Sequence, residues 1–552
     1  MPRKTNQDVG ITLFPQATWS GGINTSVPSD LIANTEAVDI LNFEFNNDDE
    51  LVTRNGVTVR PQGILTFTKR FTSIHYYENA SGDVHVLATN ANQLYEITPI
   101  TITNITGGLT LPDDTFWQWI NYAGLAIGVN KATVGDNPVK VSGGPIVAPL
   151  GGGPPKGKYI EIWNERVWIV SATDPNQVYC SALGDPEDWT LGGGTAGAEI
   201  FDVGKDDGDQ ITGLCAFRER LFVFKRTKIY VFSATATPVT DLNNVRLDIF
   251  ARNLGAISAY SIKPVLNDVL FLSDSGVASL VNAEAAGDFR AALVSRNVKE
   301  IGQTKNSNIV GGVTYTSQEI TAFVIPEADQ YWLMIPKELS VRGINETYVF
   351  DYRRLQEQLV RWVRFDGRIA GTVIDTIFDN GNRLYFIGGY DPTASNYRVY
   401  QYISKPEVYS FNEDGFSYAK SLETKAYNFD LALLRKLFAK FGLSIDVLTA
   451  MLQVSTTYFF DQTEVRGGNY NFNLTTDDPG GLWDVALWDV GLWAGAQQNT
   501  FRIWRKFKHN TYGRKGLDVT FVITNNQVDQ GLGIKNLSIE YGVLNERNVS
   551  DV

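Results

Sequence analysis

The chain has 552 residues, 43% of them hydrophobic and 20% charged, so it is long enough to bury several cores. Its formal net charge of −13 argues against tight nucleic-acid binding through the overall field. The two cysteines, Cys180 and Cys215, exclude a disulfide framework and stand in apolar segments, where buried free thiols are expected. Because residues 1–10 lack the apolar core of a signal peptide and no apolar span suits a membrane, we expect a soluble protein assembled in a cytoplasm.

The first 60 residues differ in character from the rest of the chain. They mix turn residues with short apolar segments, which is typical of a segment that packs against other parts of a protein. We predict an N-terminal docking arm over residues 1–60. Its acidic stretch at 45–50 is predicted to be a solvated loop.

Residues 61–405 carry a loose repeat of a strand, a tight turn and a second strand. The first strands lie at 82–87, 165–170, 219–224, 267–272 and 382–387, and their partners at 93–97, 177–182, 228–233, 276–281 and 398–403. Weaker copies at 123–130 and at 330–352 bring the number to about seven. A four-stranded propeller blade takes about 40–50 residues, so the repeat predicts an irregular β-propeller-like domain with insertions. An array of β-sandwich domains is the alternative.

One loop in this region is strongly acidic. Residues 202–210 gather Asp202, Asp206, Asp207 and Asp209, and hard cations bind such oxygens. The spacing does not match a calcium-binding loop, which favours a solvated connection between blades.

Residues 406–552 alternate apolar and polar residues with Gly and Asn at the breaks, which predicts an antiparallel β-sandwich domain. The segment 430–442 conflicts with this pattern. It has Asp430 as a candidate N-cap, helical apolar spacing and Gly442 as a candidate C-cap, so the local signals predict a helix, with a long strand as the alternative. The basic stretch 505–515 suits either phosphate contacts or a solvated sandwich face.

Tryptophan recurs every five residues near the C-terminus. The rings belong to Trp483, Trp488 and Trp493, and Asp484 and Asp489 follow the first two. Residues five positions apart do not share one face of a strand, and they do not share one face of a helix either. Turns or short broken strands are therefore predicted. Packing onto the sandwich or onto a neighbouring subunit is favoured over a sugar-binding platform, with the aspartates accepting backbone N–H groups at the turns.

Catalytic signatures are missing from the sequence. The three histidines lack a third ligand at metal spacing, and there is no nucleophile elbow, zinc-protease motif or phosphate-binding loop. We therefore predict no catalytic, cofactor-binding or metal site.

Several segments, taken in chain order, resemble the tail-nozzle and tail-hub proteins of short-tailed bacteriophages. The N-terminal part of that pattern falls on Gly21, Gly22, Asn24, Asn42, Arg54 and Gly56. The turn between Asn42 and Arg54 departs from the family pattern: the family usually has Gly-Lys or Asp-Gly there, and this chain has NNDDE. Residues 164–190 resemble the family's blade hairpin, and the terminal part, including the tryptophan repeat, resembles its terminal β-domain, which favours strands at 430–442.

The resemblance implies a virion protein of the packaged-DNA stabilisation or tail tubular type. Such a propeller-bearing nozzle assembles as a ring, usually of six subunits, below the portal and adaptor rings, with tail fibre or tail needle proteins as further neighbours. The ring extends the DNA channel, retains the packaged genome and lets double-stranded DNA pass at ejection without specific binding. The resemblance implies no enzyme activity and no cofactor. It places the protein in the tail of a virion that is assembled in the bacterial cytoplasm.

Two alternatives belong to other functional classes. A glycan- or receptor-binding propeller module of a tail would use clustered aromatic rings together with convergent polar groups. A glycoside hydrolase would need two carboxylates about 5–10 Å apart in one pocket, which a sequence cannot reveal.

Overall fold

Almost all of the regular structure is β, as the composition predicts. The computed structural model of the protein describes residues 10–16, 19–60, 67–98, 101–130, 137–192, 194–235, 238–286, 293–303, 309–310, 313–314, 319–338, 344–357, 359–379, 382–404, 410–475, 500–507 and 515–544.

The N-terminal segment contributes six short strands to sheets that later parts of the chain form. They are β1 (Thr12–Gln16), β2 (Gly22–Ile23), β3 (Glu36–Leu41), β4 (Phe43–Phe45), β5 (Leu51–Thr53) and β6 (Val57–Val59). Strands β1, β4 and β5 join a C-terminal sheet, β2 and β3 join a sheet that starts in the propeller, and β6 joins the last blade.

Four antiparallel sheets of four strands each come next in chain order and form blades one to four of a β-propeller. Blade one is β7 (Phe71–Glu78), β8 (Val84–Asn90), β9 (Gln93–Ile97) and β10 (Ile102–Asn104), and blade two is β11 (Trp117–Tyr122), β12 (Leu125–Asn130), β13 (Val139–Ser142) and β14 (Ile146–Pro149). Blade three is β15 (Gly157–Trp163), β16 (Arg166–Ser171), β17 (Gln177–Cys180) and β18 (Glu199–Asp202). Blade four is β19 (Ile211–Phe217), β20 (Arg220–Lys225), β21 (Lys228–Ala234) and β22 (Val245–Arg252).

Blade five has three strands, and blades six and seven have four each, so the described part of the propeller contains six four-stranded blades and one shorter sheet. Blade five is β23 (Lys263–Val265), β24 (Asp268–Ser273) and β25 (Gly276–Ser279), followed by α1 (Leu280–Ala286), α2 (Lys299–Gln303) and a small hairpin, β26 (Ile309–Val310) and β27 (Val313–Thr314). Blade six is β28 (Thr321–Ile325), β29 (Gln330–Glu338), β30 (Ile344–Asp351) and β31 (Arg361–Phe365). Blade seven is β32 (Val373–Asp379), β33 (Asn382–Asp391), β34 (Asn396–Tyr402) and β6. Single 3₁₀ turns lie at Leu242–Asn244, Ala259–Ser261, Pro326–Ala328 and Leu355–Glu357.

Each predicted hairpin is the second and third strand of a blade, which confirms the repeat. These strands are flanked on both sides, so their apolar pattern is the strongest in a blade; all six residues of β16, for example, are buried. The first strands of successive blades contact one another around a closed ring, with β32 against β7. Strand β6 closes the ring by pairing with β34, where Val57 lies opposite Tyr402.

The C-terminal strands form a sandwich that is continuous with the propeller. They are β35 (Lys420–Thr424), β36 (Lys436–Val447), β37 (Met451–Phe460), β38 (Thr463–Thr475), β39 (Thr500–Lys506), β40 (Lys515–Gly516), β41 (Val519–Asn525) and β42 (Leu532–Val543). One sandwich sheet continues blade six as a ten-stranded sheet in the order β28-β29-β30-β31-β3-β35-β41-β37-β38, with β2 beside β3. The other is the seven-stranded sheet β39-β36-β42-β5-β4, with β1 and β40 at its edges.

Aromatic side chains fill the space between the two sandwich sheets. Phe441 on β36 lies 6.0 Å from the ring of Tyr458 on β37 and 5.3 Å from that of Phe521 on β41. Strand β37 alternates buried and more exposed residues, as a strand with one face on a core should. The sandwich prediction is thereby confirmed.

Of the two alternatives at 430–442, the helix is wrong, and the strand that the resemblance also favours is confirmed from Lys436 onward. Residues 436–447 form β36, which pairs with β42 along one side and with β39 and β40 along the other. Gly442 is not a C-cap: it lies opposite Trp504, and a Cβ at Gly442 would come within 2.9 Å of that indole ring. Pairing on both edges outweighs the local helical spacing, because helix propensity is only a weak preference.

Candidate functional site

Among the polar clusters in the described part of the molecule, three bear on the predicted sites or surround a cavity. The first, which we call the joint, consists of Asn42, Arg54, Asn55, Glu413 and Tyr418. The second is the Lys225 loop, residues 202–210 folded around Lys225. The third is a cavity on the propeller axis, the axial cavity.

The joint is centred on Arg54, whose side chain is fully buried. Its guanidinium donates from Nε to Asn42 Oδ1 at 2.8 Å and from Nη2 to Glu413 Oε1 at 2.6 Å. The remaining hydrogen bonds run to the carbonyls of Asn55 (2.7 Å) and Asp366 (2.9 Å). The guanidinium also lies over the ring of Tyr418, 4.1 Å from its centroid. All three guanidinium nitrogens therefore donate hydrogen bonds inside the protein.

Asn42 connects four chain segments at the same point. Its backbone has φ +60°, a left-handed conformation that asparagine tolerates better than most residues. The amide donates to the Ala419 carbonyl at 2.6 Å, while Oδ1 accepts from Arg54 and from the Asp366 backbone N–H at 3.0 Å. Blade six, the N-terminal segment and the start of the sandwich thus meet at one side chain.

Two motif glycines leave room for backbone contacts. A Cβ at Gly56 would lie 1.6 Å from the Asn412 carbonyl oxygen. Gly22 has φ +71°, and a Cβ there would lie 2.7 Å from the Trp362 backbone nitrogen on β31. Neither position accepts a side chain without moving a backbone segment.

The remaining motif residues lie nearby, at the start of β3. Asn24 donates to Glu36 Oε2 at 2.8 Å, and Gly21 passes so close to Glu36 that a Cβ would meet its side chain at 2.7 Å. The six residues of the predicted motif therefore occupy two adjacent places, with Gly21, Gly22 and Asn24 against β3 and β31, and Asn42, Arg54 and Gly56 at the joint.

The acidic loop folds around the ammonium group of Lys225. Lys225 is buried, and its ammonium donates to Asp207 Oδ1 (2.9 Å), Asn176 Oδ1 (3.0 Å) and the carbonyls of Gly204 (3.0 Å) and Asp209 (3.1 Å). Burial alone would raise the pKa of Asp207, but hydrogen bonds from Lys225 and Tyr230 outweigh it and lower that pKa to about 2.

The other loop aspartates have separate partners. Asp209 Oδ2 accepts from the Thr227 backbone at 2.7 Å, Asp202 accepts from Gln177 at 3.0 Å, and Asp206 is exposed. The structure does not bring the four carboxylates to one point. No group of three or more His, Cys, Asp or Glu suitable for a metal ion occurs in the described segments.

The depressed pKa of Asp207 predicts an acid-sensitive contribution to stability. A carboxyl with a pKa lowered from 3.8 to about 2 stabilises the fold above its usual pKa, and that stabilisation is lost as the pH falls through this window. We expect the difference in unfolding free energy between the wild type and Asp207→Asn to be constant near neutral pH and to shrink between about pH 4 and pH 2. Urea titrations across this range measure it. The exposed neighbour, as Asp206→Asn, should show little difference at any pH, and a pH-independent effect of Asp207→Asn would contradict the assignment.

The axial cavity has a volume of about 560 Å³ and is lined by residues from the first strands of all seven blades. Its polar lining includes His75, Gln118, Glu161, Lys263 and Asp375. Of these residues, only His75 belongs to a type that the sequence singled out, as one of the three histidines. A charged residue directly beside isoleucine in the first strand of a blade is the signal for Glu161, Lys263 and Asp375, and Gln118 carries no such signal.

A chain of hydrogen bonds links three blades at one side of the cavity. Asp375 of blade seven accepts from the Tyr76 backbone N–H of blade one at 2.9 Å, and its Oδ2 lies 3.4 Å from His75 Nδ1. His75 Nε2 lies 2.8 Å from Asn121 Oδ1 of blade two, and the Asn121 amide donates to the Tyr76 carbonyl at 2.7 Å. These contacts hold the side chains of blades seven, one and two in place where the ring of blades closes.

The tryptophan repeat, Trp483, Trp488 and Trp493 with Asp484 and Asp489, lies outside the described residues. Cys180 and Cys215 are buried free thiols, as the sequence analysis expected, and burial raises the pKa of Cys180 to about 11. Among the helices of the described segments, none is long and apolar enough to cross a membrane.

Comparisons with known proteins bear on the fold only. No protein-family model and no curated protein matches the sequence. Among solved structures, virginiamycin B lyase from Staphylococcus aureus is similar at 11% identity over 61% of this chain and 98% of its own, with a TM-score of 0.34. BamB from Moraxella catarrhalis is similar at 11% identity, over 66% and 98%, with a TM-score of 0.32. The Pan2 WD40 domain of Neurospora crassa is similar at 8% identity, over 65% and 97%, with a TM-score of 0.33.

At these values the similarity says nothing about activity or partners. The assignment of a propeller rests on the closed ring of blades described above.

Proposed function

We propose that this chain is a structural subunit of a bacteriophage tail, a nozzle or hub protein whose copies form a ring. The ring extends the DNA channel below the portal and adaptor, retains the packaged genome and guides its ejection. The observation that carries the proposal is the position of the motif residues on which the resemblance rests. Asn42, Arg54 and Gly56 meet at the joint, where the N-terminal segment, the propeller and the sandwich come together.

The continuity of the sheets supports such a role. A ring subunit has to keep its shape while DNA passes, and stiffness follows from close packing and from blades held on both sides. Here one ten-stranded sheet runs from blade six into the sandwich, and β6 holds blade seven from the N-terminal side. Continuous strand pairing therefore leaves few positions at which the propeller and the sandwich could hinge relative to each other.

The size of the axial cavity constrains where DNA could pass. A cavity of about 560 Å³ has the dimensions of a small-molecule site, so a DNA channel would have to form between subunits and not along the propeller axis. The net charge of −13 favours a wall that repels phosphates and lets DNA slide. The proposal includes a lumen richer in Asp and Glu than in Lys and Arg, and it includes no enzyme activity.

Trp488→Ala tests the assembly role. If the tryptophan repeat packs against a neighbouring subunit, truncating one large ring should weaken ring formation by about 2 kcal/mol or more per contact, because buried tryptophans dominate interfaces. Mass photometry of the purified full-length protein measures the fraction in rings across a dilution series.

Trp488→Phe is the matched control, since it keeps an aromatic ring and should retain most of the assembly. A wild-type protein that stays monomeric and binds neither adaptor nor portal rings would contradict the proposal. Saturable binding in a glycan-array screen that Trp488→Ala abolishes, without loss of assembly, would favour the receptor-binding module instead.

A further inference from the structure

The axial cavity is lined by a half-buried cation, Lys263, that contacts no counter-ion directly within the described residues. Lys263 follows Ile262 on the first strand of blade five and lines the cavity. Within the described segments its ammonium makes no hydrogen bond and no ion pair. Its electrostatic neighbours are Asp375, Cys215 and Glu161, all of which line the same cavity. Burial lowers the pKa of Lys263, as expected for a cation with incomplete compensation.

Carboxyl and amide groups face the same space from other blades. Glu161 of blade three accepts from the Ile162 backbone N–H at 3.0 Å, and burial raises its pKa to about 7, so that near neutral pH it both donates and accepts hydrogen bonds. Asp375 of blade seven lines the cavity and accepts from the Tyr76 and Thr376 backbone N–H groups. Gln118 of blade two lines the cavity and accepts from the Ile160 N–H through its carbonyl oxygen.

Aromatic rings form another part of the wall. Trp119 is stacked between Trp117, at 5.5 Å between centroids, and His75, at 5.9 Å. The Trp119 indole N–H donates to Ser73 Oγ at 3.0 Å, which fixes the ring. A rigid aromatic stack beside convergent polar groups is the usual make-up of a small-molecule site, and the volume lies in the range of such sites, about 300–1,000 Å³.

The cavity is reachable from solvent. Asn121 and Pro264, which lie among its lining residues on blades two and five, are both exposed. A ligand can therefore enter along the axis without displacing a blade.

We propose that the axial cavity binds a small polyhydroxylated carboxylate of the sugar-acid class. The ligand carboxylate pairs with the Lys263 ammonium, which has no counter-ion in direct contact. Ligand hydroxyls hydrogen-bond to Glu161 and Gln118, and the carbon side of the ring packs against the edge of the aromatic stack. This site is independent of ring assembly, because it lies within one propeller.

Titration calorimetry of the full-length protein with D-glucuronate tests the proposal. We expect saturable binding, at least tenfold weaker for D-glucuronamide, which replaces the carboxylate with a neutral amide of similar size. Lys263→Met should reduce glucuronate affinity tenfold or more and leave the weak amide binding unchanged. A disaccharide that ends in glucuronate distinguishes a free sugar acid from a chain end, because only a chain-end site binds both.

Lys140→Met, on the third strand of blade two and outside the cavity lining, is the matched control and should bind like the wild type. Thermal unfolding separates binding from folding. Removing a half-buried cation that has no direct counter-ion should leave the melting temperature of Lys263→Met unchanged or higher. The proposal is overturned if the wild type shows no saturable binding of glucuronate, if glucuronamide binds equally well, or if Lys263→Met binds glucuronate with wild-type affinity.

Discussion

Replacing Arg54 with methionine is expected to lower the free energy of unfolding by about 3–5 kcal/mol, the usual cost of removing one partner from a buried ion pair. Arg54 and Glu413 have side-chain exposures of 0% and 3%, so the carboxylate left behind cannot be hydrated without opening the joint. The Asn42 amide oxygen and two backbone carbonyls lose a donor as well. Urea unfolding followed by tryptophan fluorescence measures the change.

Calorimetry gives this prediction a second readout. Because Arg54 connects the propeller with the start of the sandwich, its loss should separate their unfolding into two transitions at lower temperature. Arg246→Met is the matched control, since Arg246 has a 77% exposed side chain that pairs with the exposed Asp248, and its loss should change stability by less than about 0.5 kcal/mol. Equal effects of the two substitutions would contradict a structural role for the joint.

Lys225→Met should have an effect of similar size, about 3–5 kcal/mol, for a different reason. Here a single ammonium holds four oxygen acceptors from the acidic loop and its surroundings, and methionine leaves all of them without this donor. The loop should then become accessible, which limited proteolysis at residues 202–210 would detect together with the loss of stability.

The same loop offers the control. Lys205 is exposed, and Lys205→Met should leave both stability and protease resistance unchanged. The double variant Lys225→Met/Asp207→Asn should recover part of the lost stability, because it also removes the carboxylate that has lost its Lys225 partner. Full stability of Lys225→Met would show that the loop does not depend on its internal cation.

The propeller could be predicted because its central strands are buried on both faces. The second and third strands of a blade, such as β16 and β17, are apolar enough to stand out, and a tight turn joins them. The first strands carry a weaker signal, since one of their edges faces the axis. Strand β6 has three residues and pairs with a strand more than three hundred positions away, and no local pattern in a sequence reveals such a pairing.

Buried charges were the hardest features to recognise. Lys225 is the last residue of the apolar strand β20 and precedes Arg226. In the sequence it therefore looks like a solvated strand end, although its side chain is buried in the fold. Arg54 was selected through the resemblance, and its role at the joint follows from five contacts that come together only in the folded chain. The helix predicted at 430–442 failed for the related reason that the pairing of β36 on both edges is non-local.

Electron cryomicroscopy of the purified full-length protein tests the central claim most directly. The account predicts closed rings with rotational symmetry, in which each subunit contains one complete propeller and the lumen carries more Asp and Glu than Lys and Arg. Single propeller-and-sandwich particles at every concentration, or a ring with a basic lumen, would contradict it.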